Sequence, residues 1–176
     1  DGSIDLAANE AASVALYFND GRGNFKPTGE LPAGEDPYSL VVTDFNNDGI
    51  PDLATGNYPY TDNVSILPGT GSGAFRPLPA LRTGDRPRAL APADFDRDGN
   101  MDLAVAGDGG LVVLFGDGTG AFPRRAALRD DASPMSIASA DLDRNGTPDL
   151  VLGCYYSGRI SVVLNNGDGT FRAAGR

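Results

Sequence analysis

One nine-residue pattern occurs three times in this chain, and its repetition limits what the chain can fold into. Each copy reads D-x-[DN]-x-[DN]-G-x-x-D and is followed at once by a short apolar run. The copies span residues 44–52, 94–102 and 141–149, so their first aspartates are 50 and 47 residues apart. Self-similarity at such an interval is typical of proteins built from repeated supersecondary units. The chain is therefore expected to be a repeat array.

Two further markers keep nearly the same interval. A phenylalanine follows each of four Gly-rich turns, and a proline stands seven residues before each nine-residue copy. The phenylalanines are Phe25, Phe75, Phe122 and Phe171, and the prolines are Pro37, Pro87 and Pro134. These markers predict one array over residues 1–176, with a partial repeat over 1–33 and full repeats over 34–83, 84–130 and 131–176.

Short β-prone runs bounded by Gly, Asn, Asp and Pro predict antiparallel strands within each repeat. In the first full repeat the predicted strands are Tyr38–Phe45, Asp52–Gly56, Val64–Leu67 and Phe75–Leu81. No stretch shows a helical apolar stripe, so almost no helix is expected. Four strands in such an interval match one propeller blade. The predicted fold is an all-β propeller with about 3.7 repeats and about 15 strands, whereas a solenoid of calcium-binding nonapeptides has a much shorter repeat.

The first strand of each repeat also favours a propeller over a sandwich. Pro92 falls inside a predicted first strand, and proline is tolerated where a strand has a free edge, as at the axis of a propeller. The predicted inner strands carry small residues, as crowding at an axis requires: Ala89, Ala91, Ala93, Ala138, Ser139 and Ala140.

The acidic pattern predicts a metal site in each copy. Alternate oxygen-bearing side chains on a loop that turns at Gly suit a hard cation of calcium size. The predicted ligands are three side-chain oxygens, a backbone carbonyl at the seventh position and a closing carboxylate. They are Asp44, Asn46, Asp48, Ile50 and Asp52; Asp94, Asp96, Asp98, Asn100 and Asp102; and Asp141, Asp143, Asn145, Thr147 and Asp149.

An all-oxygen ligand set favours Ca²⁺ over transition metals, so about three calcium sites are expected. The loops are not EF-hands, because the twelfth position holds Thr55, Val105 and Leu152 instead of Glu. The alternative is that they are ordinary Asp/Asn-Gly turns without a cation. A cation would relieve the repulsion of clustered carboxylates and cross-link the hairpin, so its expected role is structural.

The start of the chain matches the second half of a loop. Residues 1–7 align with residues 48–54, so the first two ligand positions of a fourth loop are missing. Asp1, Ser3 and Asp5 are therefore not expected to bind metal. The favoured interpretation is a segment of a longer protein, and the alternative is a ring completed by other copies of the chain.

Composition excludes several classes of function. The net charge is −10, and 10 of the 24 acidic residues lie in the three loops, with Asp1 and Asp5 in the partial one, so the acidity belongs mainly to the loop segments. No basic stripe is present, which argues against nucleic acid as a partner. The chain has no histidine, which removes Ser-His and Cys-His catalysis. Cys154 is the lone cysteine, so it cannot form a disulfide within the chain and is expected to be a small buried side chain.

A ligand surface is predicted on the face opposite the metal loops. Antiparallel strand order places the loops between second and third strands there, and these loops are rich in tyrosine. The candidates are Tyr58, Tyr60, Tyr155, Tyr156 and Arg159, with Tyr38, Arg86 and Arg88 contributed by connections between repeats. Such side chains suit sugar or protein recognition. The alternative is that the tyrosines fill gaps between neighbouring repeats.

The combined pattern of proline, acidic loop, Asp-Leu-Ala strand and Gly-rich turn before Phe resembles the FG-GAP/VCBS repeats of integrin α-subunit propellers and their microbial relatives. The resemblance covers essentially all 176 residues. It implies a β-propeller with calcium in the hairpin loops, and an extracellular, secreted or cell-surface module for adhesion, carbohydrate binding or scaffolding. A purely structural repeat scaffold is the alternative. An accessory domain of a polysaccharide-active enzyme is a weaker one, because nearly all clustered acids are assigned to metal.

Overall fold

The computed structural model describes residues 5–84, 86–128 and 133–174. These residues form 15 β-strands and no α-helix, as the sequence predicts. The strands are β1 (Leu6–Asn9), β2 (Ser13–Asn19), β3 (Phe25–Pro32), β4 (Pro37–Thr43), β5 (Asp52–Asn57), β6 (Asn63–Leu67), β7 (Leu81–Arg82), β8 (Pro87–Ala93), β9 (Asp102–Gly107), β10 (Gly110–Phe115), β11 (Arg124–Leu128), β12 (Ser136–Ala140), β13 (Asp149–Cys154), β14 (Arg159–Asn165) and β15 (Phe171–Ala173).

The strands form four antiparallel sheets, each made of consecutive strands. Blade 1 contains β1–β3, blade 2 contains β4–β7, blade 3 contains β8–β11 and blade 4 contains β12–β15. The first strands of blades 2, 3 and 4 meet at the inner edge, where β8 lies between β4 and β12, and β1 of blade 1 lies against β4. Short meander sheets arranged around a shared inner edge are propeller blades. The propeller prediction is confirmed.

The inner edge explains the small residues and the proline of the first strands. Pro92 lies in β8 opposite Leu103 of β9, and β8 is an edge strand of its sheet. A proline there removes an N–H from a strand with one unpaired side, so its cost is small. By contrast β9 and β10, in the middle of blade 3, are buried along their whole length.

Two of the predicted strands of blade 2 have a boundary that differs from the structure by more than one residue. Phe75–Leu81 is not a continuous strand, because it contains Pro77 and Pro79, which cannot donate to the ladder. Phe75 makes only an isolated bridge to Gly69, and the fourth strand of blade 2 is the short β7. The first strand ends at Thr43 and not at Phe45, because the Phe45 N–H donates to the Asp52 carboxylate instead of to a neighbouring strand.

The hydrophobic core is divided among the interfaces between blades. One cluster joins blades 1 and 2 around Val14 and Leu67, and a second joins blades 2 and 3 around Ile66 and Leu103. A third joins blades 3 and 4 and includes Cys154, which is 2% exposed and not in a disulfide. The prediction that Cys154 is a small buried side chain is confirmed. Each interface therefore has its own core, as expected for a repeat array.

The second residue of the acidic loops acts as a wedge between blades. Phe45 and Phe95 are 1% and 0% exposed. Their rings pack edge-to-face on Phe122 and Phe171 of the next blade, with centroids 5.6 and 5.9 Å apart. Leu142 holds the same position in blade 4 and is 47% exposed, because no described blade follows.

The wedge predicts a difference between equivalent loop positions. Phe95→Ala should lower the free energy of unfolding by about 3–5 kcal/mol, because it leaves a cavity between blades 3 and 4. Leu142→Ala is the matched control and should cost less than about 1 kcal/mol, since the side chain is half exposed. Urea denaturation measures both, and equal losses would contradict the wedge.

Candidate metal centre

The three acidic loops lie on one face of the blades, which we call the metal-loop face. The metal loops are residues 44–52, 94–102 and 141–149, and each joins the first strand of its blade to the second. The turn before the fourth strand of each blade lies at the same end of the sheet, because strand direction alternates. The loops between second and third strands, which carry the predicted ligand tyrosines, lie on the opposite face.

The loop backbone turns inward at its fourth and sixth positions. Asn47, Arg97 and Arg144 have φ values of 58°, 61° and 62°, and the following glycines Gly49, Gly99 and Gly146 have φ values of 79°, 87° and 82°. A left-handed conformation is strained for a side chain but open to glycine, which accounts for the glycine in every loop. The left-handed backbone conformation of the fourth residue was not predicted from the sequence.

The first aspartate holds this turn closed. Asp44 accepts hydrogen bonds from the N–H groups of Asn46, Asp48 and Gly49 at 3.2, 3.2 and 2.8 Å. Asp94 accepts from Gly99 at 3.0 Å, and Asp141 accepts from Asn145 and Gly146 at 3.1 and 3.0 Å. Side-chain acceptance from nearby N–H groups is the usual behaviour of Asp in a turn.

Two of the metal loops gather three carboxylates each. The groups are Asp94, Asp96 and Asp102 in blade 3 and Asp141, Asp143 and Asp149 in blade 4, and the oxygen atoms within each group lie within 4.8 Å of one another. In blade 2 the third position is Asn46, so one of the three oxygens there belongs to an amide. The acidic triads can bind a metal ion.

The blade 3 loop also contains two oxygen atoms that fit a cation. Asp94 Oδ1 and Asp96 Oδ1 are buried from solvent and have no hydrogen-bond donor. A buried carboxylate oxygen without a donor is costly unless a cation meets it. Hard oxygen donors in this number suit calcium.

Burial of the ninth residue also favours a cation in the loop. It raises the pKa of Asp102 to about 7, and the negative charges of Asp96 and Asp98 add to the shift, although hydrogen bonds from Phe95 and Gly116 oppose it. Burial likewise raises the pKa of Asp52. A bound divalent cation would favour the charged form of both groups.

The ninth residue has a second role that the sequence reading missed. Asp52, Asp102 and Asp149 are 0% exposed, and each accepts one backbone N–H from its own loop and one from the turn before the fourth strand. We call these aspartates the clamp. The residues that donate from the side of the fourth strand, Gly69, Gly116 and Asn165, are called the clamp donors. The six distances are 2.8–2.9 Å, from Phe45 and Gly69, Phe95 and Gly116, and Leu142 and Asn165.

Part of the clamp occurs in blade 1. Asp5, which is exposed, accepts a hydrogen bond at 2.9 Å from the N–H of Asn19, at the position of the clamp donor. Asp1 and Ser3 lie outside the described residues. The available signal was the aspartate that directly precedes Leu in all four blades.

The fifth position contributes mainly to the loop itself. Asp48 Oδ1 accepts from the Ile50 N–H at 2.8 Å, and Asp98 Oδ1 accepts from the Asn100 N–H at 2.8 Å. Asn145 Oδ1 accepts from the Thr147 N–H at 2.7 Å. Metal ligation by these side chains, and by the backbone carbonyls of the seventh residues, stays a prediction.

On the opposite face, the predicted ligand residues fall into two groups that differ in burial. Tyr58 is partly buried: its hydroxyl accepts from Arg88 Nη2, and its ring contacts Tyr38 with centroids 5.4 Å apart. Arg88 is itself held by Asp108 at 2.7 Å, so Tyr58 joins blades 2 and 3. This contact matches the alternative in which a tyrosine fills a gap between repeats.

The remaining ligand candidates are open to solvent. Tyr60, Tyr155 and Tyr156 are 80%, 76% and 72% exposed, and Arg159 is exposed as well. The rings of Tyr155 and Tyr156 meet edge-to-face with centroids 5.5 Å apart. They form an aromatic step at the turn between β13 and β14.

Comparison with known proteins agrees with this architecture. The profile of the FG-GAP-like repeat matches residues 1–55, 44–105 and 94–152. No curated protein matches the chain. In the described ranges, no helix is long and apolar enough to cross a membrane.

One solved structure similar in fold is a lectin from Agrocybe aegerita, described for its specific recognition of non-reducing terminal N-acetylglucosamine. The TM-score is 0.63 and the sequence identity 18%, over 96% of this chain and 48% of the lectin chain. This chain thus spans about half the length of that lectin chain. At this identity the likeness shows the fold alone.

The clamp predicts a large effect of one conservative substitution. Asp149→Asn should lower the free energy of unfolding by about 1–3 kcal/mol in excess chelator, because one buried N–H loses its acceptor. Asp143→Asn removes the same charge from the same loop, at the position where blade 2 has Asn46, and should change stability by less than about 0.5 kcal/mol. Urea unfolding of both variants tests the clamp, and equal losses would contradict it.

Calcium removal should lower the melting temperature. In excess chelator the clustered carboxylates lose the cation that offsets their repulsion, so the melting temperature should fall by several degrees or more. Differential scanning calorimetry with calcium and with chelator measures the difference between the two melting temperatures, which we call the calcium-dependent gap. An unchanged melting temperature would show that the loops do not depend on a cation.

The gap should also depend on pH. A raised pKa of Asp102 means that the metal-free protein becomes less stable as this group loses its proton between about pH 4 and about pH 7. Calcium binding favours the charged carboxylate. The calcium-dependent gap should therefore widen from about pH 5.5 to about pH 8, and a narrowing gap would contradict this assignment.

Proposed function

Because this chain belongs to the FG-GAP-like repeat family, we propose that it is a non-enzymatic, calcium-stabilised propeller module that recognises carbohydrate on the face opposite its metal loops. The observation that carries the proposal is the aromatic step of Tyr155 and Tyr156. Both rings stand in solvent at a turn between two ordered strands, where burial within the chain does not account for them.

An exposed aromatic pair suits a sugar ligand. A tyrosine ring offers an apolar surface to the C–H groups of a sugar ring, and its hydroxyl offers a hydrogen bond to a sugar hydroxyl. Arg159 begins β14 next to this turn and adds charged donors. Tyr60 stands on the corresponding loop of blade 2, so a similar contact is available at a second site. The fold shared with a lectin supports a sugar over a protein ligand, although adhesion to a protein remains the nearest alternative.

Calcium is assigned a structural role in this proposal. Occupied loops would hold each hairpin at the end of the sheet remote from the aromatic step. The metal loops would thus fix the blades against one another while the ligand binds on the opposite face. The ligand set is the one predicted from the sequence in the three loops.

The proposed setting is extracellular, secreted or on a cell surface, in keeping with a calcium-dependent module. The module would be completed by further blades from a longer chain or from other copies. Leu142 and Ile160 on blade 4 support this, since they are 47% and 75% exposed. Blades 2 and 3 bury the residues equivalent to Leu142, which are Phe45 and Phe95, and those equivalent to Ile160, which are Val64 and Leu111. The mass of the native particle distinguishes the two sources.

A second candidate function is a structural scaffold without a ligand. The observation in its favour is Tyr58, because one of the predicted ligand tyrosines is taken up by contacts with Arg88 and Tyr38.

A glycan-binding assay separates the two candidates. The chain should bind arrayed oligosaccharides, beginning with those that end in N-acetylglucosamine, and Tyr155→Ala/Tyr156→Ala should lower the signal at least about tenfold because the stacking surface is lost. Phe25→Ala is the matched control, since Phe25 is an exposed aromatic residue, 41% exposed, at the metal-loop end of blade 1. Binding that survives the tyrosine double variant, or no glycan binding in calcium, would contradict the proposal.

A further inference from the structure

A basic residue recurs at one structural position in all four blades. Lys26 lies opposite Phe18, Arg124 opposite Phe115, and Arg172 opposite Leu164 in the ladder between the third and fourth strands. In blade 2 the N–H of Arg76 donates to the carbonyl of Pro68 at 2.8 Å. Each of these opposite residues directly precedes the clamp donor of its blade. The sequence hides the equivalence, because Arg124 follows Phe122 by two residues whereas the others directly follow their phenylalanine.

In blade 3 this basic residue is attached to the metal loop. Arg124 Nη2 donates to Asp96 Oδ2, and the guanidinium lies 3.4 Å from the ring centroid of Phe115. Gly169 of the next blade leaves room for it, since a Cβ there would lie 2.7 Å from Arg124 Nη1. The ring and the neighbouring turn hold the guanidinium in place. Asp96 therefore has one oxygen on Arg124 and the other, Oδ1, buried without a donor.

An ion pair forms in the blades whose metal loop has an aspartate as its third residue. In blade 4, Arg172 Nη2 lies 3.5 Å from Asp143 Oδ2, the same loop position as Asp96. In blade 2 the third residue is the neutral Asn46, and Arg76 makes no ion pair among the described residues. An Asp–Arg pair has no net charge, so the third position is close to neutral in all three loops.

We infer that Arg124 and Arg172 are tethered counter-ions of the metal loops of blades 3 and 4. Each arginine neutralises the third carboxylate of its loop when no divalent ion is bound, and each opposes the binding of calcium because it places a positive charge beside the site. The inference rests on the proposed calcium binding. As a consequence, these two loops keep their shape at low calcium concentration. Their affinity for calcium is lower than it would be without the arginines.

The physical argument is electrostatic. Clustered carboxylates repel one another, and a fixed guanidinium beside one of them lowers that repulsion in the metal-free loop. The same guanidinium repels a divalent cation a few ångströms further in. Exposed ion pairs are weak in general, and Arg124 and Arg172 are 50% and 56% exposed, so a moderate effect is expected.

The test compares Arg124→Gln with Arg76→Gln. Both substitutions remove one positive charge at the same ladder position, but only Arg124 pairs with a loop carboxylate. For Arg124→Gln we expect a lower melting temperature in excess chelator and, by isothermal titration, a calcium dissociation constant about three- to tenfold lower at the affected loop. Arg76→Gln should change neither quantity.

Three further variants separate charge from packing. Arg124→Lys keeps the charge and should behave as the parent protein, whereas a loss equal to that of Arg124→Gln would overturn the counter-ion role. Arg172→Gln should reproduce the effect in blade 4. Asp96→Asn/Arg124→Gln recreates the neutral third position of blade 2 and should recover most of the melting temperature in chelator.

Opposite results would overturn the inference. Weaker calcium binding by Arg124→Gln would mean that the arginine orients Asp96 for the cation, and identical behaviour of Arg124→Gln and Arg76→Gln would mean that the ion pair has no role. Failure of the parent protein to bind calcium would refute the proposed metal sites, but the melts in chelator would still test whether the arginines stabilise the metal-free loops.

Discussion

A buried carboxylate at the start of each second strand connects the parts of a blade. It accepts an N–H from the metal loop on one side and an N–H from the turn before the fourth strand on the other, at Asp52, Asp102 and Asp149. A buried N–H without an acceptor would be costly, so the clamp sets the distance between the two turns that form the metal-loop face. These hydrogen bonds join the two turns directly, and calcium would reinforce the arrangement that they define.

The same face also carries the contacts from one blade to the next. Asn47 donates to Asn100 at 2.7 Å, and Arg97 donates to the carbonyl of Asn145 at 2.5 Å, so successive metal loops touch. Asn165, the clamp donor of blade 4, also donates to the carbonyl of Phe95 in blade 3 at 2.9 Å. Cation binding in one loop would therefore act on residues that contact its neighbour. The opposite face is more open, and its turn between β13 and β14 presents aromatic side chains to solvent.

The architecture could be predicted from the sequence because the recurring residues of the repeat are of types that few other structural roles require. Gly at the sixth loop position reflects a local backbone requirement, and the small residues on the inner strands reflect crowding where the first strands meet. It failed where a side chain had two uses or where distant residues decided the outcome. Asp52 and its equivalents were interpreted only as ligands, although one of the two backbone N–H groups that each accepts lies 14–17 residues further along the chain. The fourth strand of blade 2 was placed too early, because the strand period was given more weight than Pro77 and Pro79.

The amino-acid sequence by itself determined the blade as a unit: its length, its strand order and the acidic loop that turns at glycine, since these depend on spacing and local backbone preference. Tertiary structure decided which side chains of that unit remain available. Tyr58 and Tyr156 look alike in sequence, yet one is held by Arg88 of the next blade and the other stands in solvent. Arg76 and Arg124 occupy equivalent positions of their blades, yet among the described residues only Arg124 of the two pairs with a loop carboxylate. Pairing across blades and across the ladder depends on packing of residues far apart in the chain, and no local pattern records it.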